Sequence, residues 1–470
     1  MALEKRAFQD ISFSSLTEPA AGTTSAAGEE LPRNTPPEPR TVSDLGVNRV
    51  LLEELVLKEI YFAGRPTASD MCRSLAVPFS VVKEILEPMK REHFIDVTGV
   101  QGPFQELYEY CLTEKGWDKI RDCLTRNQYR GPVPVPLAQY QKIVREQTVR
   151  NQSISREALH NGLSHLVLDP EFVDQFGPAL NSGGAIFLYG APGNGKSTIA
   201  FSLGKLLPGP VLIPHAIEAG GQIIAVFDPA VHRPLVPISP VARAADERHR
   251  PDRGRELQFD RRWVISSRPV VIVGGELTLQ RLELQYDPQL RYHLAPTQMK
   301  ANGGLFVIDD FGRQRVSPVE LLNRWIVPMD RGIDYLTLQT GETVEIPFDL
   351  LLVLSTNIEP AEVIDEVFLR RIPHKIMVPG PTMEQFVALF HSEAAIRNIT
   401  LEEGLVHDFI EEYFDESLRP MRFCHPRDIT ANVESICRYE GYAPQASRAL
   451  LLQAADAFFR AESHKGPSKS

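Results

Sequence analysis

Residues 190–198 read Gly190-Ala191-Pro192-Gly193-Asn194-Gly195-Lys196-Ser197-Thr198, after the apolar run Ala185-Ile186-Phe187-Leu188-Tyr189 and before Ile199-Ala200-Phe201-Ser202-Leu203. An apolar strand, a glycine-rich turn and a helix start are the setting in which a loop cradles phosphate. The glycines let successive backbone N–H groups face one anion. The helix opening at Lys196 adds its unpaired N–H groups and the positive end of its dipole. The Lys196 ammonium can reach the outer phosphates and the Ser197 hydroxyl can serve Mg²⁺. The stretch points to a nucleoside triphosphate site formed by residues 190–198.

Further along, Leu305-Phe306-Val307-Ile308 reads as a buried parallel strand that ends in Asp309-Asp310. Acids at the carboxyl end of a strand beside a phosphate loop can hold Mg²⁺ (Asp309) and polarise an attacking water (Asp310). A third apolar run, Leu350 to Leu354, leads through Ser355-Thr356 to Asn357, whose neutral amide can reach the same water or the γ-phosphate from a neighbouring strand. Asp365-Glu366-Val367-Phe368-Leu369-Arg370-Arg371 follows, and an arginine there can neutralise transition-state charge in its own subunit or across a boundary.

Order and spacing over residues 137–462 resemble an AAA+ ATPase: phosphate loop, acidic strand end, sensor-1 Asn357, arginine-finger region with Arg370 and Arg371, then a helical lid. In the lid, Arg422-Phe423-Cys424-His425-Pro426-Arg427-Asp428-Ile429 resembles the sensor-2 segment, with Arg427 closing onto the γ-phosphate. The chain is similar to a poorly characterised bacterial group with an N-terminal winged helix. The resemblance implies ATP with Mg²⁺, a homo-oligomeric ring, most often a hexamer, and remodelling or assembly of a protein client that it does not name. One departure stands out. The family usually has Asp-Glu at the acidic strand end, and Asp309-Asp310 is one methylene shorter, about 1.5 Å. The expectation is backbone compensation or slow turnover, as in a nucleotide-gated switch.

The 470 residues suffice for several cores. Residues 1–42, rich in Ser, Thr, Pro, Glu and Ala, read as a disordered tail. Residues 43–130 alternate helix patterns with a hairpin at 95–110, resembling a winged helix. Pro-rich 131–138 reads as a stiff linker separating that unit from an α/β nucleotide-binding domain at 139–380. A parallel sheet with flanking helices is expected there, then a helical lid at 381–462 and a tail at 463–470. Charges of both signs crowd residues 242–262, which reads as an exposed insertion.

Residues 47–126 hold 11 Lys or Arg against 13 Asp or Glu. That balance disfavours DNA binding and favours a protein-docking wing, because a duplex must be met by a basic face. An ATP-dependent DNA-binding protein remains the alternative. The net charge of −11 argues likewise against a general hold on nucleic acid or anionic membrane. Five cysteines without a CxxC pair indicate neither zinc nor disulfides. The absence of an 18-residue apolar run or a leader-like start fits a cytoplasmic protein without a membrane segment.

Overall fold

In the computed structural model, residues 32, 34–100, 102–236, 259–402, 404–415 and 419–459 are described. Most of the expected tail at 1–42, the whole of the expected tail at 463–470 and most of the charged insertion lie outside them.

The central sheet is parallel, in the order His374–Met377, Ile186–Tyr189, Leu351–Thr356, Leu305–Ile308, Val270–Val273. The three middle strands are buried almost throughout, as strands covered on both faces must be. Alternate residues face opposite cores. Ile186, Leu188, Leu305, Val307, Leu351 and Val353 pack with Ile199, Ala200 and Leu203 of the helix Lys196–Lys205. Phe187, Phe306, Ile308, Leu352 and Leu354 pack with Leu321, Leu322 and Trp325 of the helix Pro318–Arg331. Helices on both faces of a parallel sheet give the expected α/β class. Leu305–Ile308 is a strand with the bounds its apolar run predicts.

The N-terminal unit consists of α1 (Arg49–Ala63), α2 (Ala68–Leu75), α3 (Phe79–Arg91), β1 (Ile95–Val100), β2 (Tyr108–Leu112) and α4 (Glu114–Arg126). Its punctuation is local. Thr67 Oγ1 accepts from Asp70 N in a capping box, and Thr113 Oγ1 accepts from Gly116 N. The C-terminal helices Met383–Ile396, Leu405–Ile410, His425–Glu440 and Arg448–Phe459 close around Phe386, Phe390, Phe409, Phe414 and Phe459.

Three expectations are corrected. First, residues 131–138 are not a spacer: Val133 and Val135 are buried, and Val135–Pro136 is a strand paired with Ile217–Glu218. That pairing joins a second, mixed sheet containing Ala216–Ala219, Gln222–Ala225, Gln285–Asp287 and Tyr292–Leu294. Ala216 and Ile223 of this sheet belong to the same apolar cluster as α1–α4, so one core runs through the boundary that the prolines suggested. Second, the last part of the N-terminal stretch is docked: Pro36 O accepts from Asp260 N (2.9 Å), Arg40 O accepts from Ser80 Oγ (3.0 Å), and Glu84 accepts from Val42 N (2.9 Å). Third, the insertion's C-terminal end is buried rather than exposed. Arg262 and Asp260 form an ion pair with side chains 1% and 2% exposed, and Arg262 Nη1 also donates to Leu45 O (2.9 Å) and Pro134 O (3.4 Å). A buried guanidinium needs several acceptors, and it draws them from three chain segments. Among the described residues, no helix is long and apolar enough to cross a membrane.

Candidate nucleotide site

Strand register brings the motif residues together. Tyr189 lies opposite Thr356 and Ile308 opposite Leu354. The chain therefore leaves three neighbouring strands at one edge as Gly190, Asn357 and Asp309, where ligands of parallel sheets bind. Cross-links hold these ends in place: Phe311 N donates to Ser355 O (2.7 Å), Thr356 Oγ1 to Phe311 O (2.7 Å) and Val378 N to Tyr189 O (2.8 Å).

Lys196 is 7% exposed, and its ammonium donates to Gly190 O (3.0 Å), Ala191 O (2.9 Å) and Asn357 Oδ1 (2.6 Å). Burial pushes its pKa down, aided by Arg422, while Asp309 and Asp310 oppose the shift. Ser197 Oγ donates to Asp309 Oδ2 at 2.6 Å. A hydroxyl and a carboxylate oxygen side by side form a hard-oxygen pair suited to Mg²⁺, which takes few protein ligands and leaves the rest to water and phosphate. Among the described residues, no group of three or more His, Cys, Asp or Glu could hold a metal by itself.

Asp310 adopts φ +50°, the left-handed region that costs most non-glycine residues energy and that Asp tolerates better than most. The turn is held by Asp310 N on Asp309 Oδ1 (3.1 Å) and by Gln314 Nε2 on the carbonyls of Asp309 and Asp310. Its carboxylate Oδ1 lies 3.3 Å from Asn357 Nδ2. The second acid thus faces the loop despite its short side chain.

The loop itself has no room for side chains at two glycines. A Cβ on Gly190 (φ +137°) would lie 2.5 Å from Val378 O, and one on Gly193 (φ +81°) 2.5 Å from Cys424 Sγ. Asn194 is buried and braces the loop through Nδ2 on Val378 O (3.3 Å), whereas Ala191, Pro192, Ser197 and Thr198 are exposed at the mouth.

The arginines separate. Arg371 makes a two-pronged pair with Asp330 (2.8 Å for both Nε and Nη2), and the guanidinium holds that carboxyl below its usual range. Arg370 is exposed and has no ion-pair partner among the described residues. Among the C-terminal helices, Arg427 is engaged by its neighbour in sequence: its Nε and Nη2 both bind Asp428 at 2.9 Å, and its side chain is 61% exposed. Arg422, not singled out from the sequence, lies beside the loop. Cys424 N donates to Gly193 O (3.0 Å), drawing the segment onto the loop, and Arg422 Cδ lies 3.6 Å from a Cβ built at Gly193. Arg422 Nε is buried without a hydrogen-bond partner. Pro426 marks the first turn of the helix His425–Glu440, so Arg427 belongs to the helix and Arg422 to the loop before it.

A family profile described as "Domain of unknown function (DUF8689)" matches residues 382–457, the lid helices. No curated protein sequence matches the chain. Similar solved structures include the Thermotoga maritima RuvB Holliday junction branch migration motor, at 13% identity and TM-score 0.32, covering 66% of this chain and 72% of that one. Another is NtrX from Brucella abortus, at 11% identity and TM-score 0.36, covering 71% and 59%. The fold assignment rests on the sheet and the loop of the chain itself.

Proposed function

We propose that the chain is an AAA+ ATPase that couples Mg²⁺-dependent ATP binding and hydrolysis to remodelling or assembly of protein partners. The observation that carries this reading is the meeting of Lys196, Ser197, Asp309, Asp310 and Asn357 at three neighbouring strand ends, within hydrogen-bond distance of one another. Such convergence on a glycine-rich loop suits a triphosphate and little else.

In this reading the loop N–H groups and Lys196 bind the outer phosphates, and Lys196 exchanges its carbonyl partners for phosphate oxygens. Ser197 and Asp309 hold Mg²⁺, which neutralises phosphate charge when bound. Asp310 accepts a proton from the attacking water, which Asn357 orients. The left-handed turn at Asp310 supports backbone compensation for the missing methylene. Arg422 approaches the phosphates from the lid, and Arg370 is the candidate to enter a neighbour's site in a homo-oligomeric ring. The helical order of α1 to α4 around the β1–β2 hairpin supports a winged-helix reading, and its acidic balance supports docking of protein rather than DNA.

Lys196→Ala tests the assignment. ATP affinity is expected to fall and Mg²⁺-dependent hydrolysis to vanish, while circular dichroism and urea midpoint stay at wild-type values. Wild-type nucleotide affinity in that variant would overturn the assignment.

A further inference from the structure

The N-terminal unit carries a cleft between α3 and the β1–β2 hairpin that the nucleotide site does not use. Its floor is Phe79, Leu86, Val97 and Tyr108, and its volume is about 80 Å³. That is well below the roughly 300 Å³ at which small-molecule pockets begin, so it suits side chains inserted one at a time from a peptide. Lys83 and Lys90 stand exposed on its rim with Glu87 between them, and neither lysine has an ion-pair partner among the described residues. Beyond the cleft, Val100 and Phe104 at the hairpin tip are 62% and 68% exposed and extend the apolar surface.

We infer that this cleft is the docking site of the chain's own N-terminal segment, residues 8–18, which lies outside the described residues. Three observations converge on that occupant. The chain already runs along α3. Ser80 and Glu84, which hold Arg40 O and Val42 N, each follow a cleft residue, Phe79 and Lys83, and so form the adjoining stripe, about 100° round the helix. The large apolar residues upstream are bunched: Phe8, Ile11, Phe13 and Leu16 lie within one short stretch, between Gln- and Ser-containing spacers. Residues 8–18 also carry Asp10 and Glu18 with no Lys or Arg, the complement of a rim with two unpaired lysines.

Reach is ample. The chain from Leu16 to Asn34 can span roughly 60 Å at ~3.3 Å per residue, against about 20 Å for the whole of α3. Tethering raises the local concentration of the segment into the millimolar range, so even weak side-chain insertion fills the cleft. An acidic, apolar segment in that position occupies the face that a partner peptide of the same chemistry would need.

The test uses the full-length chain with Phe13 replaced by p-benzoylphenylalanine, irradiated and mapped by mass spectrometry. The expected crosslinks fall within one chain, on residues 79–90 and 97–110, with a yield independent of dilution. The double change Lys83→Glu and Lys90→Glu, on exposed positions that do not support the core, is expected to lower that yield about threefold or more. Adding Asp10→Lys and Glu18→Lys should restore it, since opposite charges then face each other again across the rim. Ile11→Asp should abolish it. No crosslinking, crosslinks scattered over other surfaces, crosslinks only between chains, or a yield indifferent to Ile11→Asp and to both charge reversals would each overturn the inference.

Discussion

At the mouth of the phosphate loop, Lys196, Ser197, Asp309, Asp310 and Asn357 hold one another by hydrogen bonds, with Ser197 and Asp310 exposed. At the seam between the N-terminal unit and the second sheet, Arg262 and Asp260 are all but sealed from water and tie Leu45 and Pro134 to the core. Both regions are polar and both join segments distant in sequence. They differ in what the polar groups can lose. A group at the mouth can trade its partner for water or ligand, so removing it costs function and little stability. A group at the seam has no alternative partner, so removing it costs stability first.

The sharpest break of this comparison is Asp260→Ala. It strands the Arg262 guanidinium in the interior, and loss of one partner of a buried pair typically costs about 3–5 kcal/mol. The expected result is a urea midpoint well below wild type, with nucleotide affinity of the folded protein unchanged. An unchanged midpoint would mean that Arg262 finds water or another acceptor and that the seam is looser than its burial implies.

Next in size is the separation of Arg370 from Arg371. Arg371 is tied to Asp330 within its own chain, and Arg370 is exposed. Arg370→Ala is expected to lower ATP hydrolysis at least about a hundredfold, within the range of arginine fingers, with binding retained. Arg371→Ala is expected to act less, through the orientation of the segment. Mixing the Arg370→Ala protein with Lys196→Ala protein, whose arginines are intact, should restore part of the turnover if the arginine enters a neighbour's site. Equal losses in both single variants would return Arg371 to candidacy.

How far the sequence reaches follows the same division. The loop strand, the acid strand and the hairpin at 95–110 were legible because apolar runs and glycine turns act over a few residues. The seam was hidden. Asp260 and Arg262 sit at the end of a densely charged stretch, where local composition says solvent. Their burial comes from Leu45 and Pro134, more than a hundred residues upstream. The prolines of 131–136 likewise signal extended backbone correctly and say nothing of Val133 and Val135 entering a core or a sheet. In the lid, both arginines were in view. The resemblance pointed to Arg427, whereas Arg422, in the loop before the helix, is the arginine found beside Gly193.

That last choice yields the smallest expected effect and the finest test of the mouth. Arg422 lowers the pKa of Lys196 by its charge and has a buried, unpartnered Nε beside Gly193. An unpaired guanidinium donor facing a phosphate loop gains most when an anion arrives, because the ligand then supplies an acceptor that the protein lacks. Arg427 already has its acceptor in Asp428, on an exposed surface where such a pair contributes little. Arg422→Ala is therefore expected to weaken ATP binding about tenfold, or about 1.4 kcal/mol, and ADP binding less if, as proposed, Arg422 approaches the γ-phosphate. Arg427→Ala should leave both affinities within about twofold. Fluorescence titration with ATP and ADP analogues reads the difference. A tenfold loss in the Arg427→Ala protein with none in Arg422→Ala would show that the lid turns on nucleotide binding and exchanges one arginine for the other.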